Sequence, residues 1–274
     1  MSNAQQRIAI EFISALGLPP VEYVELVAEL GCRHLGIAPE PISRFDEYPT
    51  WSLRDDQRLR RDMISAMRRC GVSVSLGEGF LAWPDKDIRN SAADLDLMCE
   101  LGVPKVNLVS IDSDRNRAFD QCAVFADLAG TRGLGATIEF MPGMLIGNLT
   151  MAMEAVRHVG RDNFGVLVDA MHFFRSGSDI AQLAKLDRAC VGYVQLCDVP
   201  LVCKQGSYGD EARYERLAPG DGELPLREFI RALPVDAIVG LEVPMLSKAK
   251  AGIGPVERLG ACVAATLDLL NASK

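Results

Sequence analysis

ATIEFMP (136–142), GVLVDAMH (165–172), GYVQLCD (192–198) and IVGLEVP (238–244) each run through apolar, β-prone residues and then stop on a side chain that carries oxygen. The four are Glu139, Asp169, Gln195 and Glu242. One strand-like run ending this way is already unusual. Four in succession imply parallel strands whose C-terminal ends deliver polar groups to one place.

Working outward, further β-rich runs occur at 7–13, 33–37, 72–76 and 104–109. Together with the stretches around the four polar residues they make eight. Segments with helical periodicity lie between and after them at 19–31, 54–70, 86–101, 115–132, 149–159, 178–186, 225–232 and 255–272. Glycine closes several of these helices, in AELGCR, RRCGVS, CELGVP and TRGLGA, just before the next strand begins. Eight alternating units predict an α/β fold of the (β/α)8 TIM-barrel type in a single domain, with a doubly wound open sheet as the alternative. Residues 1–6 read as a disordered tail and 7–274 as the barrel.

Composition narrows the function. The chain has 274 residues, 49% of them hydrophobic, and a formal net charge of −8. That balance disfavours broad attraction to nucleic acid or anionic lipid and favours small-molecule chemistry. The eight cysteines are scattered without CxxC pairs and read as reduced thiols. MSNAQQRIAIEF lacks a signal-peptide pattern, and no run approaches the ~18 apolar residues of a membrane span. A cytoplasmic protein with no membrane or nucleic-acid partner is expected.

In a (β/α)8 barrel the chemistry gathers where strands end and βα loops begin. Three carboxylates and a carboxamide brought together there would repel unless a cation joined them. Their all-oxygen donor set matches a hard divalent ion, Mn2+ or Mg2+, better than Zn2+ or Co2+. Glu139, Asp169, Gln195 and Glu242 are therefore the expected ligands of one divalent metal.

The ordered set Glu139, Asp169 followed by His172, Gln195 followed by Asp198, and Glu242 resembles the xylose isomerase-like TIM-barrel superfamily of sugar phosphate isomerases and epimerases. The resemblance runs over nearly the whole chain and is strongest from 135 to 245. It implies that Glu139 and Glu242 are metal ligands that also exchange protons with substrate. Asp169 becomes a ligand, and His172 and Arg216 become substrate contacts. Gln195 departs from the pattern, since many relatives carry histidine there. Asp198 would orient a ligand from behind the metal.

Other residues extend the pocket. Arg175 lies in FFRSGS (173–178), read as the N-terminus of a helix where an anionic substrate group would dock. Phe12, Glu40, Glu78, Trp83 and Asn107 fall near strand ends, with Phe12 and Trp83 as an apolar wall. The 40–55 segment and the 198–223 loop are expected to cover the pocket or to supply contacts in a homo-oligomer.

The activity implied is metal-assisted isomerisation or epimerisation of a sugar, polyol ketone or related hydroxy acid through an enediolate. Dehydration of an inosose-like or dehydroshikimate-like substrate is the alternative on the same site. A non-catalytic ligand-binding barrel and an endonuclease IV-like DNA-repair enzyme rank lower, the latter because its metal cluster needs more than the three histidines present.

Overall fold

The computed structural model describes residues 4–41, 49–203 and 206–272. Eight parallel strands close into a barrel in chain order: β1 (Ile8–Ile10), β2 (His34–Ile37), β3 (Ser73–Ala82), β4 (Lys105–Ser110), β5 (Gly135–Glu139), β6 (Phe164–Asp169), β7 (Val191–Leu196) and β8 (Val239–Leu241). The open-sheet alternative is excluded by the pairing of β1 with β8, which joins Ile10 to Leu241.

The helices packed around this ring follow the sequence periodicity. They include α1 (Pro20–Glu29), α2 (Gln57–Cys70), α3 (Ala92–Glu100), α4 (Arg115–Gly130) and α5 (Leu149–Val159). Their ends have local causes. Asp56 caps α2 by accepting from the backbone of Arg58 and Leu59, and Gly71 ends it at φ 66°, where a side chain would be strained. The main apolar core lies between strands and helices.

Three short helices in the second half were not foreseen, α6 (Ala170–Arg175), α8 (Tyr208–Tyr214) and α10 (Leu246–Lys250), and a fourth, α7 (Ile180–Leu183), is shorter than expected. α7 is only the middle of the expected 178–186 helix. α9 (Leu226–Ala232) and α11 (Pro255–Ala272) complete the set. The tail assigned to residues 1–6 needs correction: Ala4 is buried and Gln5–Arg7 forms a 3-10 turn, with the Gln5 amide donating to the Gly31 carbonyl. Residues 1–3 lie outside the described residues, as do 42–48 of the expected 40–55 cover and 204–205 of the 198–223 loop.

A second, small apolar cluster of Leu76, Leu167 and Tyr193 fills the barrel lumen. The Glu11 side chain, just beyond β1, shares this interior and is fully buried. Space for it comes from the neighbouring strands: a Cβ at either Gly36 of β2 or Gly240 of β8 would fall on the Glu11 carboxylate. Both positions thus demand glycine for clearance, independently of φ.

Gly240→Ala is expected to cost about 1–3 kcal/mol of stability from overpacking. In urea denaturation, the combined Gly240→Ala and Glu11→Ala change should cost clearly less than the two single changes added together. Additive costs would disprove the clash.

Candidate active site

The register places Asp169 of β6 beside Gln195 of β7, and Gln195 beside Gly240 of β8. Glu139 ends β5 beside Leu167, and Glu242 follows β8 directly. All four expected ligands are buried at the C-terminal rim.

Hydrogen bonds define what each oxygen does. Asp169 Oδ1 accepts from the backbone N–H of His172 at 2.8 Å and so caps α6, the helix that begins directly after β6. Its other oxygen, Oδ2, lies 2.6 Å from Arg216 Nη1. Arg216 Nη2 lies 2.6 Å from Glu242 Oε2. The guanidinium therefore bridges two carboxyls. It is itself buried, with Nε donating to the Ala212 carbonyl at 2.7 Å and Nη1 3.6 Å from Cys197 Sγ.

Glu139 is held by other partners. Asn107 donates to its Oε2 at 2.7 Å, and Thr137 in turn donates to the Asn107 carbonyl oxygen at 2.8 Å. His172 Nε2 stands 3.4 Å from Glu139 Oε1, and the opposite ring nitrogen contacts the Tyr208 hydroxyl of α8. His172 is thus a helical residue linking Glu139 to a covering element.

Beneath this layer runs a chain of polar contacts. Tyr193 lies 2.9 Å from Ser75 and donates to Glu11 Oε1 at 2.8 Å. Glu11 and Glu78 are neighbouring buried carboxyls that act on each other electrostatically, and Glu11 Oε2 is buried without a hydrogen bond. Gln195 Nε2 donates to Glu78 Oε1 at 3.3 Å, while Gln195 Oε1 is buried with no partner. Glu11 is the functional-looking residue that sequence reasoning passed over. Its signal was present, because IAIEF (8–12) has the same form as TIEF (137–140).

Five carboxyls (Glu11, Glu78, Glu139, Asp169, Glu242) share this interior with one guanidinium, so they cannot all ionise freely. Burial pushes Glu11 up to about 7, with the charges of Glu242 and Glu139 adding to the effect. Glu78 is raised well above the usual carboxylate range by burial and by Glu11. Glu242 is raised too, as burial and the neighbouring Asp169, Glu139 and Glu78 outweigh Arg216. Asp169 goes the other way. Burial alone would raise it, but Arg216, His172 and the capped N–H hold it below the usual range.

The remaining expected site residues fall elsewhere. Arg175 is buried in an ion pair with Glu211 of α8, 2.9 Å away, and donates to the Pro200 carbonyl. The anticipated anion seat at 173–178 is absent as drawn, because α7 starts later and is capped by Asp179. Phe12 packs into the main core, and Trp83 is partly exposed with Lys86 over its ring. Glu40 pairs with Arg54. Asp198 accepts from the backbone of Val199, Gly220 and Leu224 at 2.9–3.0 Å, which makes it a staple of the 198–224 loop.

The structure brings the four expected ligands to one rim, with the Arg216 guanidinium among them. Among the described residues, no three His, Cys, Asp or Glu side chains are placed to hold one ion. The cation that Asp169 and Glu242 face is Arg216.

Comparison with known proteins places the chain in a family. The xylose isomerase-like TIM barrel family model matches residues 22–256, and the chain belongs to that family. A 3-dehydroshikimate dehydratase of Pseudomonas aeruginosa is 25% identical over 235 residues, covering 81% of this chain and 35% of the dehydratase. An inosose isomerase of Bacillus subtilis is 26% identical over 155 residues, 54% of this chain and 53% of that protein. The chain thus spans about a third to a half of the length of these curated relatives. Among solved structures, that of the IolI protein with a bound zinc atom superposes with a TM-score of 0.80 at 19% identity, covering 98% of this chain and 99% of the other. No helix among the described residues is long and apolar enough to cross a membrane.

The raised Glu11 value has a consequence for stability. An acid whose folded pKa exceeds its unfolded value favours the fold fully below the unfolded pKa, and that contribution is lost as pH rises through the folded one. Between about pH 4.5 and 7 the wild type should therefore lose stability relative to Glu11→Gln, by up to roughly 3 kcal/mol at 1.36 per pH unit. Parallel urea titrations across that range would check it.

Proposed function

We propose that this chain is an isomerase or epimerase that moves a proton on a carbon next to a carbonyl, in a small polyhydroxy ketone or related hydroxy acid. The observation that carries the reading is the pair of buried rim carboxyls, Glu139 and Glu242, set three strands apart around the ring and held by different partners. The curated relatives, an isomerase and a dehydratase, support an enzyme on this barrel.

Glu139 takes the role of base. Its oxygens are positioned by Asn107 and His172, so the carboxylate can be aimed at a substrate C–H rather than sweep the pocket. Glu242, whose surroundings favour the protonated form, returns a proton from the other side. Delivery to the same carbon inverts it, and delivery to its neighbour moves the carbonyl. Gln195 Oε1 accepts a substrate hydroxyl, because its amide is oriented from below by Glu78. His172 and Arg216 border the same space. Asp169 serves by holding Arg216 and starting α6.

The dehydratase relative, matched over 81% of this chain, favours a second reading: the same enolate expels a β-hydroxyl and leaves an alkene.

Incubation of a panel of ketoses, inososes and 3-dehydroshikimate in D2O, followed by NMR, separates these outcomes. Isomerisation or epimerisation gives deuterium on carbon with the mass skeleton kept, and dehydration gives a vinyl signal. Glu139→Gln and Glu242→Gln should each lower the rate by about 10²–10⁴-fold. Absence of exchange and of elimination across the panel would overturn the proposal.

A further inference from the structure

We propose that Arg216 is the resident cation of this site: its guanidinium takes the place that a divalent ion would hold between Asp169 and Glu242, and the chain functions without a bound metal. This goes beyond the assigned reaction and does not depend on which substrate is turned over.

The first support is an account of the oxygens. Both oxygens of Asp169 are engaged, one by the His172 N–H and one by Arg216. Glu139 Oε2 accepts from Asn107, and its Oε1 lies 3.4 Å from His172 Nε2. Glu242 Oε2 faces Arg216. Two of the four expected ligands keep a buried oxygen without a hydrogen bond: Glu242 Oε2, which lies in the ion pair with Arg216, and Gln195 Oε1, which is a neutral amide oxygen. A hard divalent ion takes six or more oxygens and draws its affinity from carboxylates. One amide oxygen beside an Asp169 whose two oxygens are both hydrogen-bonded and a Glu242 already ion-paired with Arg216 is a poor seat.

The second support is how firmly Arg216 is tied down. Its backbone N–H donates to the Pro244 carbonyl at 2.9 Å, just beyond β8. Leu217 and Asp198 exchange backbone hydrogen bonds at 2.8 and 2.9 Å, just beyond β7. The guanidinium end is fixed by the Ala212 carbonyl as well as by the two carboxyls. Arg216 is thus braced against the ends of two barrel strands, and the planar fork of arginine matches two carboxylates at once.

The third support is charge. A dication beside this guanidinium would meet a fixed positive charge in a buried, weakly screened space, where repulsion between unit charges a few ångströms apart amounts to about 4 kcal/mol or more. A single guanidinium instead offers hydrogen bonds and one positive charge to a developing oxyanion.

The experiment is metal content and Mn2+ titration on the full chain, with Arg216→Met beside it. Wild type, purified without added metal, is expected to hold no stoichiometric transition metal. It should show no saturable Mn2+ site by EPR, and no Mn2+-induced rise in melting temperature, up to about 1 mM. Arg216→Met keeps an unbranched stem and removes the guanidinium with its charge, so it should gain Mn2+ affinity by about tenfold or more. One equivalent of Mn2+ bound by wild type at micromolar concentration would overturn the proposal, and so would an affinity unchanged or weakened in Arg216→Met. Should the variant fail to fold, the wild-type titration alone decides. Deuterium exchange that proceeds after EDTA treatment and dialysis supports the inference. Exchange that needs added metal sinks it while leaving the isomerase reading intact, and a substrate panel without exchange sinks that reading while the titration still judges this one.

Discussion

The pairing of Arg216 with Asp169 and Glu242 is the constraint around which the mouth of the barrel is organised. Buried carboxyls are costly when unpaired, and this interior holds five of them with one guanidinium. Asp169 satisfies its charge by splitting its oxygens between the guanidinium and the N–H that starts α6. That choice sets the position of His172, and through His172 the approach to Glu139 and the docking of Tyr208 from α8. A rim carboxylate thereby controls a helix start, the neighbourhood of Glu139 and a covering segment together.

The layer beneath follows the same economy of charge. Glu11 and Glu78 are neighbouring acids whose burial raises their pKa values and keeps protons in the lumen at pH values where surface carboxyls have lost theirs. Two missing side chains, at Gly36 and Gly240, make the room. The pair holds the Gln195 amide nitrogen downward. The amide oxygen is left buried and without a hydrogen bond, which is costly for a polar atom.

Much of the fold was legible in the chain. The eight apolar runs correspond to the eight strands, and Gly31 and Gly71 end helices at positive φ as AELGCR and RRCGVS had suggested. Membership of the xylose isomerase-like family, inferred from a handful of rim residues, holds over residues 22–256. The site was legible in its inventory and much less so in its pairings. Arg175 read as an anion contact because its partner Glu211 lies 36 residues away on a helix hidden in an apparent loop. Asp198 read as a metal-orienting carboxylate, yet its oxygens are spent on three backbone N–H groups of its own loop. Glu11 was overlooked although its run has the same form as the others, since β1 is only three residues long and a lone glutamate beside it reads as an ordinary strand end.

Sequence by itself determined the architecture and the rim. Strand and helix periodicity and capping are local properties, and a parallel barrel necessarily carries every strand end to one face. Tertiary structure alone decided which charges meet. Arg216 reaches Asp169 and Glu242 from a loop segment whose path depends on backbone bonds to Pro244 and to Asp198. The Glu11 pocket likewise exists only once β2 and β8 lie on either side of β1. Electrostatic pairing depends on distance in space, and distances between residues remote in the chain are set only when the barrel closes.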